Sequence, residues 1–146
     1  MQKFLEEPIM PEAPLEAAAA RRHVFVYGTL RRGDDNDINR LKPAPVFIGM
    51  GRIGGTMYHL GRYPGVTLGG QGFVEGEVYA VTPELERVLD EIEELYPQQT
   101  NEYFKRDIDV EVGGVSVACF VYEINPDRVD GRPVIPGGDW VRDRYL

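Results

Sequence analysis

The sequence is poor in the residues that carry the commonest nucleophilic and metal chemistry. It has one cysteine and two histidines in 146 residues, and its single serine is Ser116. One cysteine cannot form an intrachain disulfide, and Cys119 sits inside an apolar run, which indicates a small core residue. Ser116 lies in the same run without a Gly-x-Ser-x-Gly context, which argues against a serine triad. No cysteine–histidine spacing is typical of zinc, so neither a metal nor a cofactor is expected.

Excess positive charge and long apolar runs are also missing. The chain has 24 acidic and 16 basic residues, a formal net charge of −8, which argues against a nucleic-acid partner because phosphate would be repelled. No apolar stretch approaches the 18 residues of a membrane-spanning helix, and the N-terminus lacks the order of charge and apolarity of a signal peptide. We expect a cytoplasmic protein that does not bind membranes.

The length fits one domain with an extension. Residues 1–22 are rich in proline, alanine and glutamate and have little to bury, so they are predicted to be an N-terminal extension of a domain at 23–146. Short apolar segments bounded by glycines predict strands, and Gly113-Gly114 predicts a hairpin turn between two of them. The predicted strands are 24–27, 46–48, 53–60, 73–81, 107–112 and 115–122. With one clear helix, this indicates an α+β fold with a mixed or barrel-like sheet.

The one clear helix begins after Thr82. Thr82 is a good cap and Pro83 suits the first helical position. An apolar stripe at helical spacing is centred near Ile92. Glu93 lies about a right angle from that centre and is the acid nearest to the apolar face, marginally ahead of Glu86 and Glu91. A carboxyl group at such a boundary has its pKa raised by desolvation, which suits a general base, although a rim glutamate in an ion pair gives the same pattern.

Three loop patterns bear on binding. Tyr27-Gly28-Thr29-Leu30 ends an apolar run at a turn whose N–H groups suit a small anion, or else it is a plain turn that follows a buried strand. Gly49 to Gly54 matches Gly-x-Gly-x-x-Gly, but no helical pattern follows, so we interpret it as strand. Asp34 to Asp37 lacks the glycine and distal glutamate of a calcium loop and is interpreted as a solvated turn.

Taken in order, several short motifs resemble those of the gamma-glutamylcyclotransferase-like family. The resemblance covers Val24 to Trp140 and is nearest to the branch with gamma-glutamylamine cyclotransferases and small bacterial proteins. One departure is Glu94, because the family commonly has glycine after its acid. The motifs are Tyr27-Gly28-Thr29-Leu30-Arg31-Arg32-Gly33, Gly61-Arg62-Tyr63-Pro64-Gly65, Val74-Glu75-Gly76-Glu77-Val78-Tyr79, Leu89-Asp90-Glu91-Ile92-Glu93, Tyr103-Phe104-Lys105-Arg106 and Ile135 to Trp140.

The resemblance implies a fold and a set of site residues. The implied fold is a small mixed β-barrel-like sheet with one main helix packed across it and a cavity at the Tyr-Gly-Thr-Leu turn. Glu93 is implied as the catalytic acid and base. The implied substrate-binding residues are Tyr27, Gly28, Thr29, Leu30, Tyr103 and Tyr122.

The function implied is release of 5-oxoproline and a free amine from a small γ-glutamyl amide. This ring closure requires no metal, nucleotide or covalent nucleophile, and the sequence offers none. Two alternatives stay open: a non-catalytic module of the same fold that binds a small carboxylate or amino-acid derivative, and a subunit that makes protein contacts. A homodimer is compatible with the sequence. The loops at 34–45 and 96–102 are where substrate range is expected to be set.

Overall fold

Five strands close into a barrel in the computed structural model, which describes residues 21–95 and 99–145. The strands are β1 (Arg22–Val26), β2 (Val46–His59), β3 (Pro64–Val81), β4 (Tyr103–Val112) and β5 (Val115–Ile124). Their order around the barrel is β1-β3-β2-β4-β5. The β1–β5 pair is parallel and the other pairs are antiparallel, so the sheet is mixed, as predicted.

The predicted strands are found at the expected places in the sequence, but the observed strands differ from them in length. The two segments expected at 46–48 and 53–60 form one strand, because register shifts at Gly49 and at Gly55 absorb the irregularity without ending the pairing. β3 begins nine residues before the expected Phe73, since its glycine-rich first half pairs with the far end of β2. The Gly49–Gly54 pattern lies inside β2, where no helix starts.

The hairpin and the main helix follow their local signals. Gly113 and Gly114 have φ of 57° and 84°, values that glycine adopts at little cost, and they join β4 to β5. Helix α1 spans Pro83–Ile92, and the Thr82 hydroxyl accepts from the Leu85 N–H at 3.1 Å. A four-residue helix, α2 (Trp140–Asp143), and two 3₁₀ turns, Ile38–Arg40 and Pro126–Arg128, complete the elements. The expected Pro97 stop lies outside the described residues.

Strand β1 is buried on both faces, which explains its continuous apolar run. Val24 and Val26 pack with Leu85 and Leu89 of α1, whereas Phe25 belongs to a second cluster drawn from all five strands. The helix therefore lies across one face of the sheet, as expected. The predicted stripe centre, Ile92, is exposed because the helix ends there.

Two further expectations concern loops and termini. The segment 34–37 is not wholly a solvated turn: Asp34 is buried, where its carboxylate accepts from Trp140 Nε1 at 3.0 Å and pairs with Arg144 at 2.6 Å. Cys119 is buried, as expected of a core residue.

Residues 1–20 of the predicted extension lie outside the described residues, and β1 begins two residues earlier than expected, at Arg22. Over the ranges 21–95 and 99–145, no helix is long and apolar enough to cross a bilayer.

Candidate active site

All seven residues implied by the sequence line one cavity of about 360 Å³. It lies where β1 runs into the Tyr27–Leu30 turn, opposite the C-terminus of α1. The turn supplies four of the seven, the end of α1 supplies Glu93, and β4 and β5 supply Tyr103 and Tyr122. Their grouping is a property of the fold, since 95 residues of sequence separate Tyr27 from Tyr122.

The turn has its carbonyl groups engaged and its N–H groups free. The carbonyls of Gly28, Thr29 and Leu30 accept from the N–H groups of Arg31, Asn36 and Ile38 at 2.9–3.0 Å. Within the part of the chain described, the N–H groups of the same three residues donate to no protein acceptor. Backbone donors without partners beside a cavity are a favourable place for a carboxylate or a developing oxyanion.

Gly28 is required by the approach of a neighbouring strand. A Cβ at this position would lie 2.8 Å from Pro64 Cγ, well inside van der Waals contact. Pro64 starts β3 and lines the same cavity, and its carbonyl accepts from the Tyr103 hydroxyl at 2.8 Å. The glycine therefore lets the turn and β3 pack together, in addition to leaving room for a ligand.

Glu93 occupies the C-cap of α1. The helix ends in a Schellman motif, in which the Glu94 N–H donates to the Glu91 carbonyl at 3.0 Å and the Leu95 N–H to the Asp90 carbonyl at 2.8 Å. This motif needs a left-handed residue after the cap, and Glu94 has φ of 60°. Glycine adopts that conformation most easily, which gives a physical reason for the glycine that the resemblance leads one to expect at this position.

The environment of Glu93 raises its pKa to about 8. Burial is the largest cause, followed by the negative charges of Glu102, Glu94 and Asp90. The Glu93 carboxylate has no hydrogen bond or ion pair with any residue in the described ranges. A carboxyl group with this pKa exists in both protonation states near neutral pH, so it can accept a proton and return it.

Four tyrosines line the cavity, and each hydroxyl proton already has an acceptor within the protein. Burial is the largest cause that raises the pKa of Tyr27, Tyr103 and Tyr122, so these hydroxyls stay protonated. The bonds run from Tyr27 to the Tyr122 carbonyl (2.6 Å), from Tyr103 to the Pro64 carbonyl (2.8 Å), from Tyr122 to Asp90 (2.8 Å) and from Tyr63 to Glu102 (2.6 Å).

Asp90 links the cavity to the protein surface. Its carboxylate accepts from Tyr122 and pairs with Lys105 Nζ at 3.0 Å, and Lys105 also pairs with Glu86. Lys105 holds the Asp90 carboxylate in place, and the hydrogen bond from the Tyr122 hydroxyl to that carboxylate fixes the orientation of the Tyr122 ring. Asp90 is not among the site residues predicted from the sequence, because in sequence an acid one turn from the end of a helix cannot be distinguished from an acid that faces solvent.

The structure adds lining residues that the sequence analysis did not name individually as site residues. Glu102, Arg62 and Tyr63 come from segments before β3 and β4, and Asp35 and Asn36 come from the loop after the turn. Glu102 and Asp35 do fall inside the two loops in which substrate range was expected to lie. Residues 96–98 of the second loop lie outside the described residues. Within the described ranges, no three His, Cys, Asp or Glu side chains are grouped to hold a metal ion.

Comparison with known proteins identifies relatives of this fold. The family model for Gamma-glutamyl cyclotransferase, AIG2-like, matches residues 24–142. Gamma-L-glutamyl-butirosin B gamma-glutamyl cyclotransferase from Niallia circulans is 34% identical over 117 residues, 78% of this chain and 74% of that protein.

Solved structures agree with this assignment. The crystal structure of an AIG2-like protein from Mus musculus has a TM-score of 0.64 and 32% identity, covering 77% of this chain and 84% of that one. The solution structure of ytfP from Escherichia coli has a TM-score of 0.57 and 30% identity, covering 82% and 96%. The family resemblance, the expected fold and the expected class of enzyme are confirmed.

Proposed function

Because the chain belongs to the Gamma-glutamyl cyclotransferase, AIG2-like family, we propose that it releases 5-oxoproline and a free amine from a small γ-glutamyl amide, with Glu93 as the acid and base. The observation that carries the residue assignment is a carboxyl group with no partner among the described residues and with a pKa of about 8, in the cavity that the Tyr27–Leu30 turn also lines.

The reaction is an intramolecular aminolysis. The α-amine nitrogen of the glutamyl group forms a bond to its own γ-carbonyl carbon, the bond between that carbon and the amide nitrogen breaks, and a five-membered lactam results. Glu93 takes one proton from the α-amine nitrogen as that nitrogen bonds to the carbonyl carbon, and returns it to the departing nitrogen, which leaves as a free amine. Because both reacting atoms belong to one molecule, holding the reactive conformer provides much of the rate.

The free N–H groups of the turn have a matching role. They would bind the α-carboxylate or the oxyanion that develops on the γ-carbonyl, and both are small anions. Tyr103 and Tyr122 would shape the cavity around the glutamyl group, because their hydroxyls are hydrogen-bonded to Pro64 and Asp90.

The single buried thiol, Cys119, fits a reducing compartment, which we take to be the cytoplasm.

The test is detection of 5-oxoproline by mass spectrometry after incubation with a mixed set of γ-glutamyl amides. Wild-type protein is expected to form it, and Glu93→Gln to lower the rate by about 10²–10⁴. Glu91→Gln is the matched control, since Glu91 is an exposed acid on the same helix and does not line the cavity.

Two results would contradict the proposal. Activity retained in Glu93→Gln would overturn the role of that residue. A saturable thermal shift with γ-glutamyl amides and no 5-oxoproline would favour the binding module instead.

A further inference from the structure

The side chains of the cavity offer hydrogen-bond acceptors in excess of donors. The four tyrosine hydroxyls give their protons to acceptors within the protein, so only their oxygen lone pairs remain for a ligand. Four carboxylates, Asp35, Glu93, Glu94 and Glu102, line the same cavity. A ligand that fills this space must therefore bring N–H groups, beyond the one anionic group that the turn can hold.

The negative charge of the cavity is concentrated near Glu93. Glu94 and Glu102 both act on the Glu93 carboxyl, and every charge that shifts its pKa is negative. The Glu94 side chain makes no hydrogen bond or ion pair within the described ranges, and the Glu102 carboxylate accepts only from Tyr63 there. The C-terminus of α1 adds the negative end of its dipole at this point.

A substrate bound with its glutamyl head at the turn directs its leaving group into this negative region. The scissile bond must lie beside Glu93, since that residue transfers the proton. The leaving group then lies in the part of the cavity near Glu93, which Glu94 and Glu102 also line. One cation, Arg62, also lines the cavity and would instead favour an acidic leaving group, so the two possibilities can be separated by experiment.

We propose that the leaving amine carries a second positive charge, as in a diamine or another polyamino compound, and that Glu94 and Glu102 select it. This inference rests on the proposed function and deepens it. A partly desolvated ammonium group between two otherwise weakly partnered carboxylates makes charge-assisted hydrogen bonds, which are stronger than neutral ones.

The experiment compares three γ-glutamyl amides of equal chain length. Their leaving amines are 1,4-diaminobutane, butylamine and 4-aminobutanoate, which all have four carbons; the fourth carbon carries an ammonium group in the first, is a methyl group in the second and is a carboxylate in the third. We expect kcat/KM to be about tenfold or more higher for the diaminobutane amide than for the butylamine amide. High salt is expected to reduce that ratio, because it screens the charges.

The variants Glu94→Gln and Glu102→Gln test the residues. Each is expected to lower the ratio of the two kcat/KM values about threefold, and the double variant to bring it near one. The ratio is the readout because both amides use the same Glu93, so a change in its pKa cancels. Glu91→Gln, which removes an equal charge from the exposed face of α1, is expected to leave the ratio unchanged.

The outcomes separate the two proposals. No 5-oxoproline from any of the three amides would overturn the proposed function and the charge preference with it. Equal turnover of the diaminobutane and butylamine amides would leave the function standing and overturn the preference alone. Faster turnover of the 4-aminobutanoate amide would also overturn it and would assign the selection to Arg62.

Discussion

The charged groups on the two sides of the segment from Tyr27 to Asp34 differ in whether they have partners: those on one side form buried ion pairs, and Glu93 on the other side does not within the described ranges. On one side, Arg31 is buried between Glu77 and Asp139, with N···O distances of 3.0 and 2.9 Å. Glu77 also accepts from the Arg32 N–H and from the Tyr79 hydroxyl. On the other side, Glu93 is left without a partner in the described ranges, and its pKa rises to about 8.

The contrast separates charged side chains that are fixed by partners from a carboxyl group that has none within the described ranges. A buried carboxylate with several partners keeps its charge and its position, whereas one without partners is destabilised as an anion and exchanges protons near neutral pH. The paired side fixes the turn, because Arg31 and Asp34 connect it to β3 and to the C-terminal segment. Substitutions on the two sides should therefore change stability in opposite directions.

The largest effect is expected from Arg31→Met. Removing the guanidinium group leaves Glu77 and Asp139 buried with an uncompensated charge, so the free energy of unfolding should fall by about 3–5 kcal/mol. Urea denaturation measures it. Arg52→Met is the control, because the Arg52–Glu75 pair, at the similar distance of 2.8 Å, is exposed and should contribute less than about 1 kcal/mol. Equal losses in the two variants would remove the distinction between the buried network and a surface pair.

Glu93→Gln is expected to stabilise the protein at high pH. A folded pKa of about 8 against an ordinary value of 4.5 means that the unfolded chain loses its proton first. Stability is therefore lost as the pH rises from 4.5 to 8, and Gln abolishes that loss. We expect a gain of about 3–5 kcal/mol at pH 9 and almost none at pH 4, measured by thermal unfolding. A gain of the same size at both pH values would contradict the assigned pKa.

Gly28→Ala tests the junction between the two sides. The added methyl group meets the Pro64 ring at 2.8 Å, so the turn or β3 must shift, at a cost of about 2 kcal/mol and with loss of turnover. Gly54→Ala is the matched control, since the nearest atom to a Cβ there is 4.0 Å away. Urea denaturation and 5-oxoproline release measure both consequences. An active Gly28→Ala protein of unchanged stability would show that this packing is unimportant.

The smallest effect is expected from Glu94→Gly. Glycine relieves the positive φ of 60°, which should stabilise the protein by about 1 kcal/mol. Loss of the negative charge should also lower the pKa of Glu93, so that the kcat/KM profile rises at a lower pH. Glu94→Gln is expected to lower the pKa of Glu93 in the same way, but it leaves the positive φ in place. If both variants gain the same stability, charge and not backbone conformation accounts for it.

Sequence by itself determined the features that depend on neighbours along the chain. The Thr82-Pro83 start of α1, the Gly113-Gly114 turn and the apolar run of β1 are local signals, and the structure follows them. The ordered motifs also identified the family, and they predicted the turn and Glu93 as its site residues. The periodicity of the apolar stripe placed Glu93 marginally nearer to the apolar face than Glu86 and Glu91, and Ile92, at the centre of that stripe, lines the cavity.

Only the tertiary structure decided how these parts act on one another. Asp34 looks like a member of a solvated acidic turn, yet Trp140 and Arg144, more than a hundred residues away, bury it. Glu102 is one acid among many until the fold places it where it raises the pKa of Glu93. Burial and Coulomb interactions depend on distance in space, which a local pattern does not encode, and so the sequence could name the acid while the fold set its pKa.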